Sequence, residues 1–264
     1  LLVRAITPDR GFLTFIDNGH EIDISTLSSS EMSQFRKKIQ YIFQDPFSSL
    51  NPRMTALDII VEPLVVHGVG TVSNRRAIAS ELLRLVGLDE GMLGRYPHSF
   101  SGGQRQRIGI ARALTLKPDL LICDEPVSSL DVGVQAQILN LLRDLQRELH
   151  LTYFFVSHNL AVVKYIADRI AVMCRGKLVE VALKDDLFSC PAHPYTQSLI
   201  SAVPDIDIDK PLNFDNLLAG RTSEPATWPD PFRDDGLSDL ALQHIGNGHF
   251  VRAAKTNMGT QNLL

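Results

Sequence analysis

Cysteine is scarce in this sequence. Cys123, Cys174 and Cys190 are scattered, with no paired spacing of the kind that marks a disulfide framework or a metal site. That usage fits a reducing compartment. Long apolar runs are missing as well. The most apolar stretch, residues 59–66, is short and is interrupted by Glu62 and Pro63, so no segment has the length of a bilayer span. Any membrane association would have to come through a partner. There is no excess of positive charge: the formal net charge is −4, which argues against sequence-independent binding to nucleic acid. No signal-peptide pattern opens the chain, which begins with Leu1 instead of Met. The sequence therefore reads as a fragment of a longer chain, with a genuinely degenerate protein as the alternative. No Gly-x-x-x-x-Gly-Lys-Ser/Thr run occurs either. Around Gly176-Lys177, position 171 is Ala and position 178 is Leu, so both flanking requirements fail. That pair reads as a turn between residues 170–174 and 178–181.

What is present has an ordinary globular profile, 44% hydrophobic and 21% charged over 264 residues. That is enough for one substantial α/β domain with an appendage. Residues 12–16 and 22–24, around Asn18-Gly19, read as a hairpin with a tight turn. Ser28 with Glu31 forms a helix-start capping box. Residues 39–43 make a short strand ending at Gln44, followed by a polar loop through Pro52. From Thr55 to about Pro97 the pattern is helical, with Gly87 as a stop. After residue 108 a helix continues to 114, and strands then alternate with helices: 120–123, 134–149, 153–156, 160–167 and 170–173. Such alternation predicts a mostly parallel sheet covered by helices. Its strands end in polar residues, which places those residues at the carboxyl edge where α/β proteins bind ligands. Beyond Pro204 aspartate and proline are frequent and helical periodicity fades. Residues 205–264, with the lone Trp228, are expected to form a loosely packed or accessory tail.

Ser101-Gly102-Gly103-Gln104, running into a helix, has the chemistry of a phosphate-binding turn. Glycines let backbone approach an anion, N–H groups at a helix start donate to it, and Ser101 adds a hydroxyl. A solvent-exposed serine-glycine turn would explain three of these residues. It does not explain the full run through Arg105-Gln106-Arg107, just ahead of an apolar segment ending in Asp124-Glu125. Adjacent acids after a strand are often merely solvated. Here they would supply a carboxylate for a metal-bound phosphate and a base to orient water. Ser129-Leu130-Asp131 caps the helix that follows. Gln44 and His158 each end a strand.

These residues, in this order, resemble the ATPase subunits of ABC transporters. The resemblance makes Ser101, Gly102, Gly103 and Gln104 the signature motif, Asp124 and Glu125 the Walker B acids, and Asp131 part of the D-loop crossing a dimer interface. It makes His158 the switch histidine that contacts the γ-phosphate of ATP, and Gln44 the glutamine that senses Mg²⁺ and the attacking water. Glu125, His158 and Gln44 are then the catalytic set, and Asp124 with Gln44 the Mg²⁺ residues. Phe43-Gln44-Asp45-Pro46-Phe47-Ser48-Ser49-Leu50-Asn51-Pro52-Arg53-Met54 and His193-Pro194-Tyr195-Thr196 look like the bacterial oligopeptide/dipeptide/nickel import subfamily. The implied fold is the α/β ABC-type P-loop NTPase lacking its first strands and phosphate loop. Its expected parts are an incomplete core (1–54), a helical subdomain (55–98), a second core segment (99–182) and a C-terminal extension (183–264).

The implied function is an ATP-hydrolysing importer subunit for peptides or related small solutes. It would be peripheral at the cytoplasmic face of the inner membrane. Its implied partners are a second ABC ATPase subunit, transmembrane permease subunits docked on the loop after Gln44, and indirectly an extracytoplasmic solute-binding protein; no nucleic acid is expected. Residues 1–11 resemble the end of the helix after the phosphate loop, so that loop is expected upstream. A chain truly without it would lend its signature to an intact partner's site and hold no phosphate itself; it would also expose core surface. With no cysteine after Cys190, the iron–sulfur cluster that relatives often carry is not expected. Two alternatives stay open, a degenerate partner subunit and an ABC protein without a transporter. The second usually carries a coiled-coil insertion, zinc cysteines or a second cassette, none of which is visible in the sequence.

Overall fold

The computed structural model describes residues 1–17, 19–202, 223–236 and 240–254. The chain divides into two compact units, Leu1–His158 and Asn159–Leu264.

In the first unit, β1 (Thr14–Asp17) and β2 (His20–Asp23) form an antiparallel hairpin, with Gly19 at φ +84° beside the turn. Asn18 lies outside the described residues. The capping box at Ser28 and Glu31 starts α1 (Ser29–Lys38), which runs directly into β3 (Ile39–Ile42). Arg36, Lys37 and Lys38 close that helix, where positive charge complements the helix dipole. Residues 1–11 are irregular instead of helical. Arg4 takes φ +47° and its N–H bonds to the Leu1 carbonyl in a single tight turn, a backbone that cannot continue as a helix.

Helices α2 (Ala56–Val66), α3 (Val72–Leu85) and α4 (Gly102–Leu114) pack together through Ile59, Ile60, Leu64, Leu83, Ile108 and Ile110, all buried. Gly87 (φ +75°) ends α3 in a Schellman arrangement. Its N–H bonds to Arg84, and the Leu88 N–H bonds to Leu83. Strand β4 (Leu120–Asp124), helix α5 (Val132–Leu149) and strand β5 (Thr152–Val156) then form a β-α-β crossover. The sheet order is β3-β4-β5, all parallel, with Ile42 opposite Cys123 and Asp124 opposite Val156. One face of β5 carries exposed Phe154 and Val156.

In the second unit the expected continuation of a parallel sheet does not occur. After α6 (Leu160–Ile166), β6 (Arg169–Cys174) pairs antiparallel with β7 (Lys177–Leu183). Arg175 and Gly176 both have positive φ, the two-residue hairpin turn that makes adjacent strands antiparallel. Helices α7 (Lys184–Ser189) and α8 (Pro194–Ser201) follow.

The tail is also not loosely packed where it is described. Strands β8 (Leu240–Gly246) and β9 (His249–Ala254) form a second hairpin around Asn247-Gly248, and the sheet order is β6-β7-β9-β8. Trp228 is buried with Ile170, Val172, Val179 and Leu187. The Asp/Pro-rich composition concealed a hairpin whose turn, Asn-Gly with both residues at positive φ, is the favoured two-residue type. Residues 205–222, 237–239 and 255–264 of that predicted tail lie outside the described residues. Among the described residues no helix is long and apolar enough to cross a membrane.

Candidate functional site

Three parallel strands share one carboxyl edge, and each hands a polar side chain to it. Gln44 follows β3, Asp124 ends β4 with Glu125 just after it, and His158 follows β5. Glu125 is the centre. Its Oε2 accepts from Gln44 Nε2 at 2.8 Å, and its Oε1 lies 2.7 Å from His158 Nδ1. Its backbone has φ +44°, a left-handed conformation that costs a non-glycine residue about 1–2 kcal/mol. Local bonds hold that geometry: Glu125 N–H donates to the Val156 carbonyl, and Ser128 N–H and Oγ donate to the Glu125 carbonyl. The bond to His158 lowers the Glu125 pKa most. Burial opposes it, and Ser128 and Gln44 add to the lowering. The carboxylate is therefore ionised at neutral pH, as a base must be. The His158 ring stays open to solvent, with its side chain 73% exposed.

Asp124 closes β4, and its Oδ2 accepts the Tyr41 hydroxyl. Burial first, and Asp124 second, push the Tyr41 pKa up to about 12. The sequence reading missed this tyrosine, because strand periodicity marks it only as a partly buried aromatic.

The Ser101-Gly102-Gly103-Gln104 run begins α4. Ser101 is the N-cap, its Oγ accepting from Gln104 N–H while Gln104 Oε1 accepts from Ser101 N–H. Ser101 and Gln104 are thus joined in a capping box, and the N–H groups of Gly102 and Gly103 begin the helix between them. The glycines have a steric reason beyond close approach to an anion. A Cβ on Gly103 would fall 2.4 Å from Val134 Cγ1, and one on Gly102 would fall 3.4 Å from Leu130 Cδ2. The start of α5 therefore lies directly against the start of α4. Asp131 occupies the N-cap position of α5 but makes no side-chain capping bond, leaving its carboxylate exposed.

Two arginines of α4 hold the loop after Gln44. The Arg105 guanidinium lies 4.2 Å from the Phe47 ring centre. Arg112 donates to the Ser49 carbonyl at 2.8 Å and lies 5.6 Å from the Phe43 ring centre. The loop also folds on itself, with Asp45 Oδ1 accepting from Phe47 N–H and Oδ2 from Ser48 N–H. Loop and α4 are thereby mechanically joined, a link with no local sequence signal.

In the second unit, His193-Pro194-Tyr195-Thr196 is a structural node. His193 caps α8 through Nδ1, and Pro194 sits at the first helical position, where its missing N–H costs nothing. Buried Glu180 accepts from the N–H groups of Ala192 and His193 and contacts His249 Nε2 at 2.7 Å. Burial, with a smaller contribution from Arg252, drives the His193 pKa down to about 4.

Comparisons with known proteins place the chain in a family. Residues 1–128 match the family described as ABC transporter, and residues 179–233 match the oligopeptide/dipeptide transporter C-terminal region. A Brucella ovis protein that carries the name of a peptide import ATP-binding protein is 45% identical over 97% of this chain and 83% of its own length. The dipeptide transport ATP-binding protein DppF of Lactococcus lactis is 46% identical over 93% of this chain and 78% of its own. The oligopeptide transport ATP-binding protein AppF of Bacillus subtilis is 52% identical over 77% of this chain and 61% of its own. Among solved structures, a dimeric ATP-binding cassette in a post-hydrolysis state with ADP and Pi matches with a TM-score of 0.58 and 31% identity, over 68% of this chain and 75% of that one. With its identities spanning nearly the whole chain, this protein belongs to the ABC transporter family, as one of its nucleotide-binding ATPase subunits.

Proposed function

We propose that this chain hydrolyses ATP to drive an importer of peptides or related small solutes, and that the carboxyl edge of its parallel sheet is where hydrolysis occurs. The observation that carries the reading is the meeting of Gln44, Glu125 and His158, one from the end of each parallel strand, around a single ionised carboxylate. Glu125 holds and polarises the attacking water. His158, open on its solvent side, stabilises charge developing on the transferred phosphoryl group, and Gln44 links Glu125 to the loop that α4 grips. The peptide cargo is taken from the relatives' names and from the match at residues 179–233.

The donors present suit Mg²⁺. That ion takes one or two protein oxygens and fills its remaining positions with phosphate and water. Asp124 Oδ1 and Gln44 Oε1 have no recorded hydrogen bond among the described residues. Mg²⁺ held there would neutralise charge on the phosphate oxygens. Ser101, Gly102, Gly103, Gln104 and Asp131 would face ATP held by a second ABC ATPase subunit, the pair sitting beneath transmembrane permease subunits at the cytoplasmic face of the inner membrane. An extracytoplasmic solute-binding protein would supply the cargo.

The test is Glu125→Gln in the full-length protein. Hydrolysis is expected to fall by about 10²–10⁴-fold, the usual worth of a positioned base, while ATP binding persists. Turnover at the native rate would remove Glu125 from the role.

A further inference from the structure

We infer that Tyr41 is a positioning residue for the metal-binding acid, a reading that rests on Asp124 holding Mg²⁺. The Tyr41 hydroxyl donates to Asp124 Oδ2 at 2.5 Å. The two residues lie on neighbouring parallel strands but not opposite one another. Tyr41 pairs with Ile122, so Asp124 stands two residues nearer the carboxyl edge. At about 3.3 Å per strand residue that offset is roughly 6.6 Å, a reach that suits tyrosine and defeats a short side chain.

The ring is held firmly. It packs against the cluster of Ile24, Met32, Phe35, Ile39 and Ile122, and its centre is 4.6 Å from that of Phe43. The phenolic O–H is the donor and the carboxylate oxygen the acceptor. Donation to Oδ2 fixes the rotation of the Asp124 carboxylate and makes its two oxygens inequivalent. Oδ1, with no recorded partner among the described residues, is the oxygen left for the metal or its water.

Without the hydroxyl, the carboxylate would have to be ordered at the moment the metal arrives. Tyr41 therefore pre-organises Asp124, and its effect belongs in metal affinity more than in nucleotide affinity or fold.

The test compares the full-length protein with its Tyr41→Phe and Asp124→Asn variants, reading Mg²⁺ titrations of the binding of a fluorescent ATP analogue. Thermal midpoints without nucleotide are measured alongside. Phenylalanine keeps the ring and its packing. For Tyr41→Phe the half-saturating Mg²⁺ concentration is expected to rise about three- to tenfold, with metal-free analogue binding and the thermal midpoint near wild type; outer-shell partners of metal ligands typically have effects of this order or larger. A wild-type Mg²⁺ dependence would overturn the inference. So would a lowered midpoint with metal-free binding weakened in the same proportion, since that is the signature of a purely structural tyrosine. Asp124→Asn separates the two assignments. If it abolishes the Mg²⁺ dependence while Tyr41→Phe leaves it intact, only the tyrosine's role fails. If it too leaves the dependence intact, the role of Asp124 fails with it.

Discussion

Removing the Glu180 carboxylate should unfold the second unit far more readily than any surface change. Glu180 is fully buried on β7, and its oxygens meet three donors: Ala192 N–H at 2.7 Å, His193 N–H at 3.0 Å and His249 Nε2 at 2.7 Å. The last comes from β9, so one side chain ties the tail hairpin to the start of α8. Glu180→Ala leaves all three without their acceptor. Each unsatisfied buried donor costs about 1–3 kcal/mol, so three of them cost at least about 3 kcal/mol together. The expected loss is therefore about 4 kcal/mol. Glu180→Gln keeps one acceptor oxygen and the shape, so about 1–3 kcal/mol is expected.

The assay is intrinsic to the chain. Its single tryptophan, Trp228, is buried in this unit, with its ring centre 4.5 Å from that of His193. Guanidinium unfolding followed by tryptophan emission therefore reports on this unit. With an m-value of about 2–4 kcal/mol/M, Glu180→Ala should lower the midpoint by at least about 1 M. A midpoint shift below about 0.3 M would mean the node carries little of the unit's stability, and the reasoning would fail.

Two other outcomes follow from the same geometry. Burial holds the His193 pKa at about 4 against a value near 6.5 when unfolded, so protons bind the unfolded chain first. The second unit should keep its full His193 contribution above about pH 6.5 and lose about 3 kcal/mol as pH falls toward 4. His193→Asn, which can still cap α8, should flatten that part of the profile; an unchanged slope would refute the assignment. Gly103→Ala should destabilise the first unit by about 1–3 kcal/mol despite alanine's better helix propensity, because its Cβ collides with Val134. Adding Val134→Ala should recover much of that loss in thermal unfolding, and simple additivity would show the contact to be irrelevant.

Local chemistry was readable in the sequence where its partners are close along the chain. Ser28 and Glu31, three residues apart, cap α1 as their spacing predicts, and Gly87 stops α3 at the expected place. The strand ends were legible because short apolar runs break at Gln44, Asp124 and Ser157-His158. The order of those residues pointed to the family, although no spacing says that Gln44 and His158 meet on Glu125. What escaped is long-range. Tyr41 and Asp124 are 83 positions apart, and Glu180 and His249 are 69 apart, so neither pair leaves a periodic trace. The sequence explains Gly103 by an anion alone, since the approach of Val134 depends on how two helices cross. The β8–β9 hairpin is the instructive miss. Its Asn247-Gly248 turn signal was present, but the composition of the residues before it dominated the reading.

The central claim is that Gln44, Glu125 and His158 act as one hydrolytic centre. Its most direct test is ATP hydrolysis by the Glu125→Gln and His158→Ala variants of the full-length protein and by the double variant, measured under saturating ATP. Residues that work as a unit are strongly non-additive. The account predicts that the double variant is no slower than Glu125→Gln alone to within a few-fold. Losses that multiply, each replacement costing the same factor whether or not the other is present, would contradict it.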